Sequence, residues 1–223
     1  MRMSSQETWR VVHEERRQLA ADLSGLDPEQ WRTPSLCPGW DVHDVVAHLL
    51  STARTSRLSF IGDLVRARLD FDRANENGIA QHKRDDPCDT LEAFEEASAL
   101  TRTPPAALAT RLVEAIVHGE DIRRPLGIEA TYPEPAIHQA LAYQLRTPVS
   151  FGGGRERAAG LRLIDRKTQT THGQGDDIEG DAIDLLLALS GRRVDPEKLT
   201  GNGAARLAGA ATASDAADAL REP

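Results

Sequence analysis

Between positions 5 and 24 the apolar residues fall on one helical stripe. Trp9, Val12, Leu19 and Leu23 share a face, and Gly25 stands where a helix should stop. Asp27-Pro28-Glu29-Gln30-Trp31 predicts a short helical turn. Two prolines and a glycine in Thr33-Pro34-Ser35-Leu36-Cys37-Pro38-Gly39-Trp40 predict a loop with Trp40 as its apolar anchor. Asp41 and Asp44 resemble a capping box that opens a long helix from Val42 to about Ala74, with Gly62 as its one weak point. Asn75-Glu76-Asn77-Gly78 closes that helix, and Asp85-Asp86-Pro87 marks a second loop. A third helix is predicted over 91–103. Pro104-Pro105 starts a fourth, which Pro125 and Gly127 end. Four helices joined by connections of moderate length predict a bundle.

The texture changes after Gly127. Residues 134–146 read as a helix, and Gly152-Gly153-Gly154 as a flexible connector without the strand-turn-helix setting of a nucleotide loop. Leu161-Arg162-Leu163-Ile164-Asp165 and Thr168-Gln169-Thr170-Thr171 read as short strands. Residues 181–190 form a compact apolar helix before Gly191. The expected organisation is a mainly α chain: a bundle over 1–128, a small α/β domain over 129–210, and a frayed Ala/Asp-rich tail over 211–223.

Charge narrows the function classes. The 27 basic residues are outweighed by 35 acidic ones, a net charge of −8, and no basic stripe interleaved with aromatics offsets it. Such a chain repels nucleic acid phosphates. No apolar run approaches the roughly 20 residues of a membrane span. The polar N-terminus reads as carrying no signal peptide, and Cys37 and Cys88 imply no disulfide framework, so the expected home is the cytoplasm. Cys37 reads as a small packing residue rather than a nucleophile.

The fourth predicted helix is the most informative stretch. With Leu108 at the origin of a helical wheel, Leu112, Ala115, Ile116 and Ile122 cluster within about 80° of it, and Val113 and Val117 lie opposite. Glu114, His118 and Asp121 fall between the two apolar patches, within about 60° of one another. Burying an unpartnered carboxylate is costly. A metal ion would resolve the cost, and carboxylate with imidazole suits zinc or a similar first-row metal. A Glu–His hydrogen bond or an exposed face would also satisfy the pattern. His48 shares a stripe with Asp44 and Ser51, so on pattern alone it is a solvated helix histidine. His13, His43, His82, His138 and His172 also read as solvent-facing.

Residues 34–49, from Pro34-Ser35-Leu36-Cys37-Pro38-Gly39-Trp40 to Ala47-His48-Leu49, resemble the first metal motif of the DinB-like superfamily. The branch is that of mycothiol-dependent maleylpyruvate isomerase. Residues 114–127, from Glu114 through His118 and Asp121 to Gly127, resemble that branch's second metal motif. Residues 160–191 are similar to its small C-terminal domain. The resemblance implies a DinB-like four-helix bundle followed by a small sterol-carrier-like α/β domain. It also implies a divalent metal, zinc by preference, held by His48, Glu114 and His118 with an open position, and mycothiol as a thiol cosubstrate delivered as a thiolate.

Asp121 matches the acidic position of the second motif and is expected to orient His118 or the thiol. A catalytic arginine is also implied. Arg66, Arg68 and Arg73 are the candidates, with Arg73 the working choice. The expected function is metal-dependent isomerisation or S-transfer on a small electrophile by a monomer or homodimer, with no nucleic acid or membrane partner. A hydrolase using metal-activated water, or a non-catalytic metal-dependent ligand-binding protein, is the alternative.

Overall fold

The computed structural model describes residues 3–207, so the tail expected over 211–223 lies outside the described residues. The chain divides into two compact units, one spanning Met3–Thr131 and the other beginning at Tyr132.

The N-terminal unit is built on four helices: α1 (Ser5–Leu23), α2 (Val42–Arg54), α5 (Pro87–Ala97) and α6 (Ala109–Leu126). A reciprocal capping box starts α1, with the Glu7 amide donating to Ser4 Oγ at 3.2 Å and the Ser4 amide to Glu7 Oε2 at 2.7 Å. Asp41 and Asp44 do the same for α2, as their spacing predicts. Helix α1 packs on α5 and α6, and α2 on the same pair. Their shared core holds Leu19, Leu23, Trp31, Val45, Val46, Leu49, Phe94 and Ile122, each nearly free of solvent. Burial of apolar area at roughly 25 cal/mol per Å² supplies the main driving force for this packing.

The long helix expected over 42–74 is three helices: α2, α3 (Arg57–Arg66) and α4 (Phe71–His82). The break falls at Thr55-Ser56 rather than at Gly62. Thr55 Oγ1 bonds back to the Ser51 carbonyl, and the Ser56 side chain accepts from the Ser59 amide, so local hydroxyls compete with the helical ladder and win. Arg68 and Leu69, both at positive φ, reverse the chain before Asp70 caps α4, which packs on α2. The third helix starts earlier than expected, with Pro87 in its first turn, and the Pro104-Pro105 pair precedes α6 without opening it. Pro125 sits inside the last turn of α6, and Gly127 supplies the left-handed cap at φ 69°.

The second unit contains α7 (Glu134–Gln144), β1 (Leu161–Asp165), β2 (Thr171–Gly173), β3 (Asp176–Gly180) and α8 (Ala182–Leu189). The sheet order is β2-β1-β3, with β2 antiparallel and β3 parallel to β1. Leu161, Leu163 and Ile178 face the side on which α8 packs, and α8 in turn packs on α7. Two expectations are corrected here, and one strand was not foreseen. Gly153 and Gly154 are not a connector, because both are buried within this unit and a Cβ at either would strike Thr147 or Leu189. The strand expected at 168–171 begins only at Thr171, since Gln169 at φ 57° belongs to the turn. Strand β3 carries a single fully buried apolar residue, Ile178, too weak a period to be read from sequence.

Among the described residues, no helix is long and apolar enough to cross a membrane. The fold is thus mainly α, a four-helix bundle with a small three-stranded α/β unit.

Candidate metal centre

Helix α6 carries Glu114, His118 and Asp121 along one buried stripe, and all three belong to the N-terminal unit. The loop at residues 33–41 is laid against this helix by its backbone. The Leu36 amide donates to the Asp121 carbonyl at 3.1 Å, and Pro34 and Asp41 form a bridge that closes the loop. Inside it, Ser35 Oγ donates to the Trp40 carbonyl at 2.8 Å and accepts from the Cys37 amide at 3.1 Å. Gly39 turns the chain at φ 77°, which an L side chain adopts at a cost. The outcome is that the Cys37 side chain points into the α6 stripe.

There three groups close on one another. Cys37 Sγ donates to Asp121 Oδ2 at 3.0 Å, His118 Nδ1 lies 2.9 Å from the same oxygen, and Sγ lies 3.7 Å from Nδ1. Cys37 and Asp121 are buried, and His118 nearly so. Burial alone would favour a neutral imidazole; the Asp121 carboxylate and the Cys37 sulfur outweigh it and push the His118 pKa up to about 9. Among the described residues, this is the one set of three His, Cys, Asp or Glu side chains whose ligand atoms all lie within 4.8 Å of one another.

His48 is brought to the same place. Its ring is buried, with a centroid 4.9 Å from that of His118 at 75° and 5.1 Å from Trp40. The solvated reading that pattern alone gave it is therefore wrong: the arc of Val42, Val45, Val46 and Leu49 is not the only buried face of α2, because α6 covers the other. His43 is likewise buried, with Nε2 2.8 Å from Thr90 Oγ1, and His138 and His172 bond to each other at 3.1 Å.

Glu114 sits one turn from His118 but is already engaged. Arg111 grips it with both terminal nitrogens, Nη2 to Oε2 at 2.8 Å and Nη1 to Oε1 at 3.2 Å, and Arg16 Nη2 from α1 stands 3.6 Å from Oε1. Both guanidinium groups are buried. Arg111 also donates to the Thr52 carbonyl of α2, and Arg16 to that of Leu100. Among the described residues, His48, Glu114 and His118 are not a set whose donor atoms all lie within 4.8 Å of one another. Arg73 is exposed on α4, where the Asp70 side chain caps its amide. Arg66 pairs with Asp63 on the surface. The buried arginines that hold Glu114, Arg16 and Arg111, are ones that periodicity alone placed on no site.

The donor chemistry fits a metal ion. Imidazole, carboxylate and thiol are the groups from which zinc sites are built. Cys37, His118 and Asp121 would offer such donors together, with His48 beside them.

Residues 12–103 match the family model described as the mycothiol maleylpyruvate isomerase N-terminal domain. That span includes Cys37 and His48 and stops short of α6. Two solved structures are similar over 91% of this chain and 94% of theirs, each with a TM-score of 0.63. One is the crystal structure of the mycothiol-dependent maleylpyruvate isomerase, 18% identical, and the other its histidine-to-alanine mutant, 17% identical. At this identity the likeness is one of fold, for bundle and small sheet together. No curated protein matches the chain.

Proposed function

We propose, for a chain whose N-terminal unit belongs to the mycothiol maleylpyruvate isomerase N-terminal domain family, a metal-dependent enzyme that uses a small thiol of the mycothiol type. It isomerises a small electrophile or transfers the thiol to it. The observation that carries this reading is the pairing of two buried imidazoles, His48 and His118, beside an acidic residue in the bundle. Such a cluster has no structural task that an apolar core would not perform better.

When bound, a divalent ion at His118 supplies the Lewis acidity that holds a thiol as thiolate at neutral pH. Zinc is the ion that best suits these donors. The protein's own residues do the rest. Asp121 fixes the orientation of His118. Trp40 packs against the buried His48 ring. Glu114 is the third ligand that the motif resemblance implies, and Arg111 and Arg16 must loosen their hold for it to serve. An acidic chain without basic stripes is matched to small-molecule partners and to the cytoplasm, where low-molecular-weight thiols are kept reduced.

The test is thiol-dependent turnover. Purified zinc-loaded protein is incubated with mycothiol and a panel of conjugated unsaturated acids and alkylating electrophiles, and double-bond isomerisation and thiol consumption are followed. Turnover that needs both metal and thiol is expected. Hydrolysis proceeding without thiol, or the absence of both mycothiol binding and turnover, would overturn the proposal.

A further inference from the structure

We propose that the chain pairs with a second copy of itself through α3, in an antiparallel twofold contact that covers Leu58, Ile61, Val65 and Leu69. Such pairing goes beyond the thiol chemistry above and can hold or fail without it.

Helix α3 buries none of its ten residues. Its principal neighbour is α4, through the Phe60 and Phe71 rings 6.2 Å apart. A helix this short is marginal in water unless one face packs against something. On the helical wheel Phe60 and Leu64, both half-buried, lie within about 40° of each other, and Leu58, Ile61 and Val65 lie opposite within about 60°. This second stripe is bare. Leu58 is 84% exposed, Ile61 52% and Val65 63%, and Leu69, in the turn that follows, is 69% exposed. Among the described residues, four of the six exposed large apolar side chains thus fall within twelve positions, and the other two, Val149 and Phe151, belong to the second unit. Single exposed apolar residues need no cover, but a contiguous stripe of them marks an interaction surface.

The stripe reads nearly the same in both directions, which is what a twofold contact requires. A second α3 turned end for end about a point near residue 63 sets Ile61 opposite Val65, and Leu58 opposite Leu69 within one residue. Gly62 lies at the edge of the stripe with open space where a Cβ would stand, its nearest atom being Arg66 Nη1 at 4.0 Å, so the two backbones can approach closely. At these exposures the four side chains present roughly 400–500 Å² of surface. Two copies remove about twice that, and with their flanking side chains reach the roughly 1,200 Å² at which standard interfaces begin. Charge points the same way. Residues 54–73 hold five arginines and three aspartates in a chain of net charge −8, so two acidic copies meet here without opposing their excess carboxylates. Arg66 is already paired with Asp63 at 2.7 Å, and the reversed register brings Arg57 level with Asp70 of the other copy. An anionic lipid surface would suit the arginines but would be repelled by the three aspartates and by the chain as a whole.

Sedimentation velocity of the full chain, from low to high micromolar concentration, measures the pairing. The parent is expected to be a dimer at the upper end. Leu58→Glu and Ile61→Asp place a charge at exposed positions and leave the fold intact by circular dichroism. Each enters a twofold contact twice, so the dissociation constant should rise by at least about a hundredfold. Phe151→Asp, at an exposed apolar residue of the second unit, should leave the dimer unchanged. Hydrogen exchange on the parent needs no variant: amides of α3 should exchange more slowly at high concentration than at low. A parent that stays monomeric overturns the pairing, whether its stripe remains free or binds vesicles of equal parts phosphatidylglycerol and phosphatidylcholine. A dimer that survives Ile61→Asp, or one that slows exchange elsewhere and not in α3, overturns it as well.

Discussion

Replacing Glu114 by Gln separates a structural ion pair from a metal ligand. The carboxylate is 8% exposed and lies between Arg16 at 2% and Arg111 at 5%. Its removal strands two buried guanidinium charges, one of which also donates to the Leu100 carbonyl and the other to that of Thr52. Breaking a buried pair from one side costs about 3–5 kcal/mol. The Gln oxygen still accepts one guanidinium bond, which puts the loss near the lower end, about 3 kcal/mol. For a unit of this size, that lowers the melting temperature by roughly 10 °C. The assay is thermal unfolding followed by tryptophan fluorescence, since Trp9, Trp31 and Trp40 all lie in the N-terminal unit and report on it alone. Both proteins are melted in excess chelator and again with zinc. The same deficit in both conditions is expected, because the ion pair exists without metal. A variant as stable as the parent in chelator, and inferior only with zinc, would refute the reasoning and make Glu114 a ligand.

Three further outcomes follow from particular contacts. Burial raises the Glu15 carboxyl to about 7 against the pull of Arg123, so the folded chain binds a proton that the unfolded chain releases near 4.5. Stability should therefore fall as pH rises from 4.5 to 7, by up to about 3 kcal/mol, and urea titrations of Glu15→Gln should lack that slope. Asp165 is nearly buried; burial pushes its carboxyl up, but the Thr168 hydroxyl and backbone amides hold it below its ordinary 3.8. The stability it contributes is present above that value and lost on acidification, and Asp165→Asn should remove this acid-dependent loss in the second unit. Gly154→Ala drives a methyl into the Leu189 carbonyl and side chain, an overpacking worth about 1–3 kcal/mol in chemical denaturation. A neutral result would mean that α8 shifts freely.

How far the chain can be read without coordinates depends on the range of the interactions that decide each feature. Helix α2 is legible at its start because Asp41 and Asp44 carry the capping chemistry within four residues, and α1 from its apolar stripe, although Ser4 and Glu7 cap it in the same way. The first break in the 42–74 segment was also written locally, in Thr55 and Ser56, but a hydroxyl pair is a weaker signal than the apolar period that runs across it; the second, at Arg68-Leu69, carries no such mark. Strand β3 is different. Asp176-Asp177-Ile178-Glu179-Gly180 has no strand period of its own and becomes a strand because β1 offers it a parallel partner through five register pairs. No local rule contains that information.

The same distinction governs the site. Glu114, His118 and Asp121 share a stripe by the arithmetic of the helix, and the sequence displays it. What each of them meets is decided by what arrives from elsewhere: Arg16 from α1, nearly a hundred residues away in the chain, pairs with Glu114, while Cys37 from the 33–41 loop donates to Asp121. A wheel shows one helix and so treats the two carboxylates as equivalents. Their neighbours make them opposites, one countercharged by cations and one hydrogen-bonded by a thiol and an imidazole. Because charge balance in a buried site must close locally, spacing along one helix leaves open what each carboxylate does, and its partners from other elements supply the missing information.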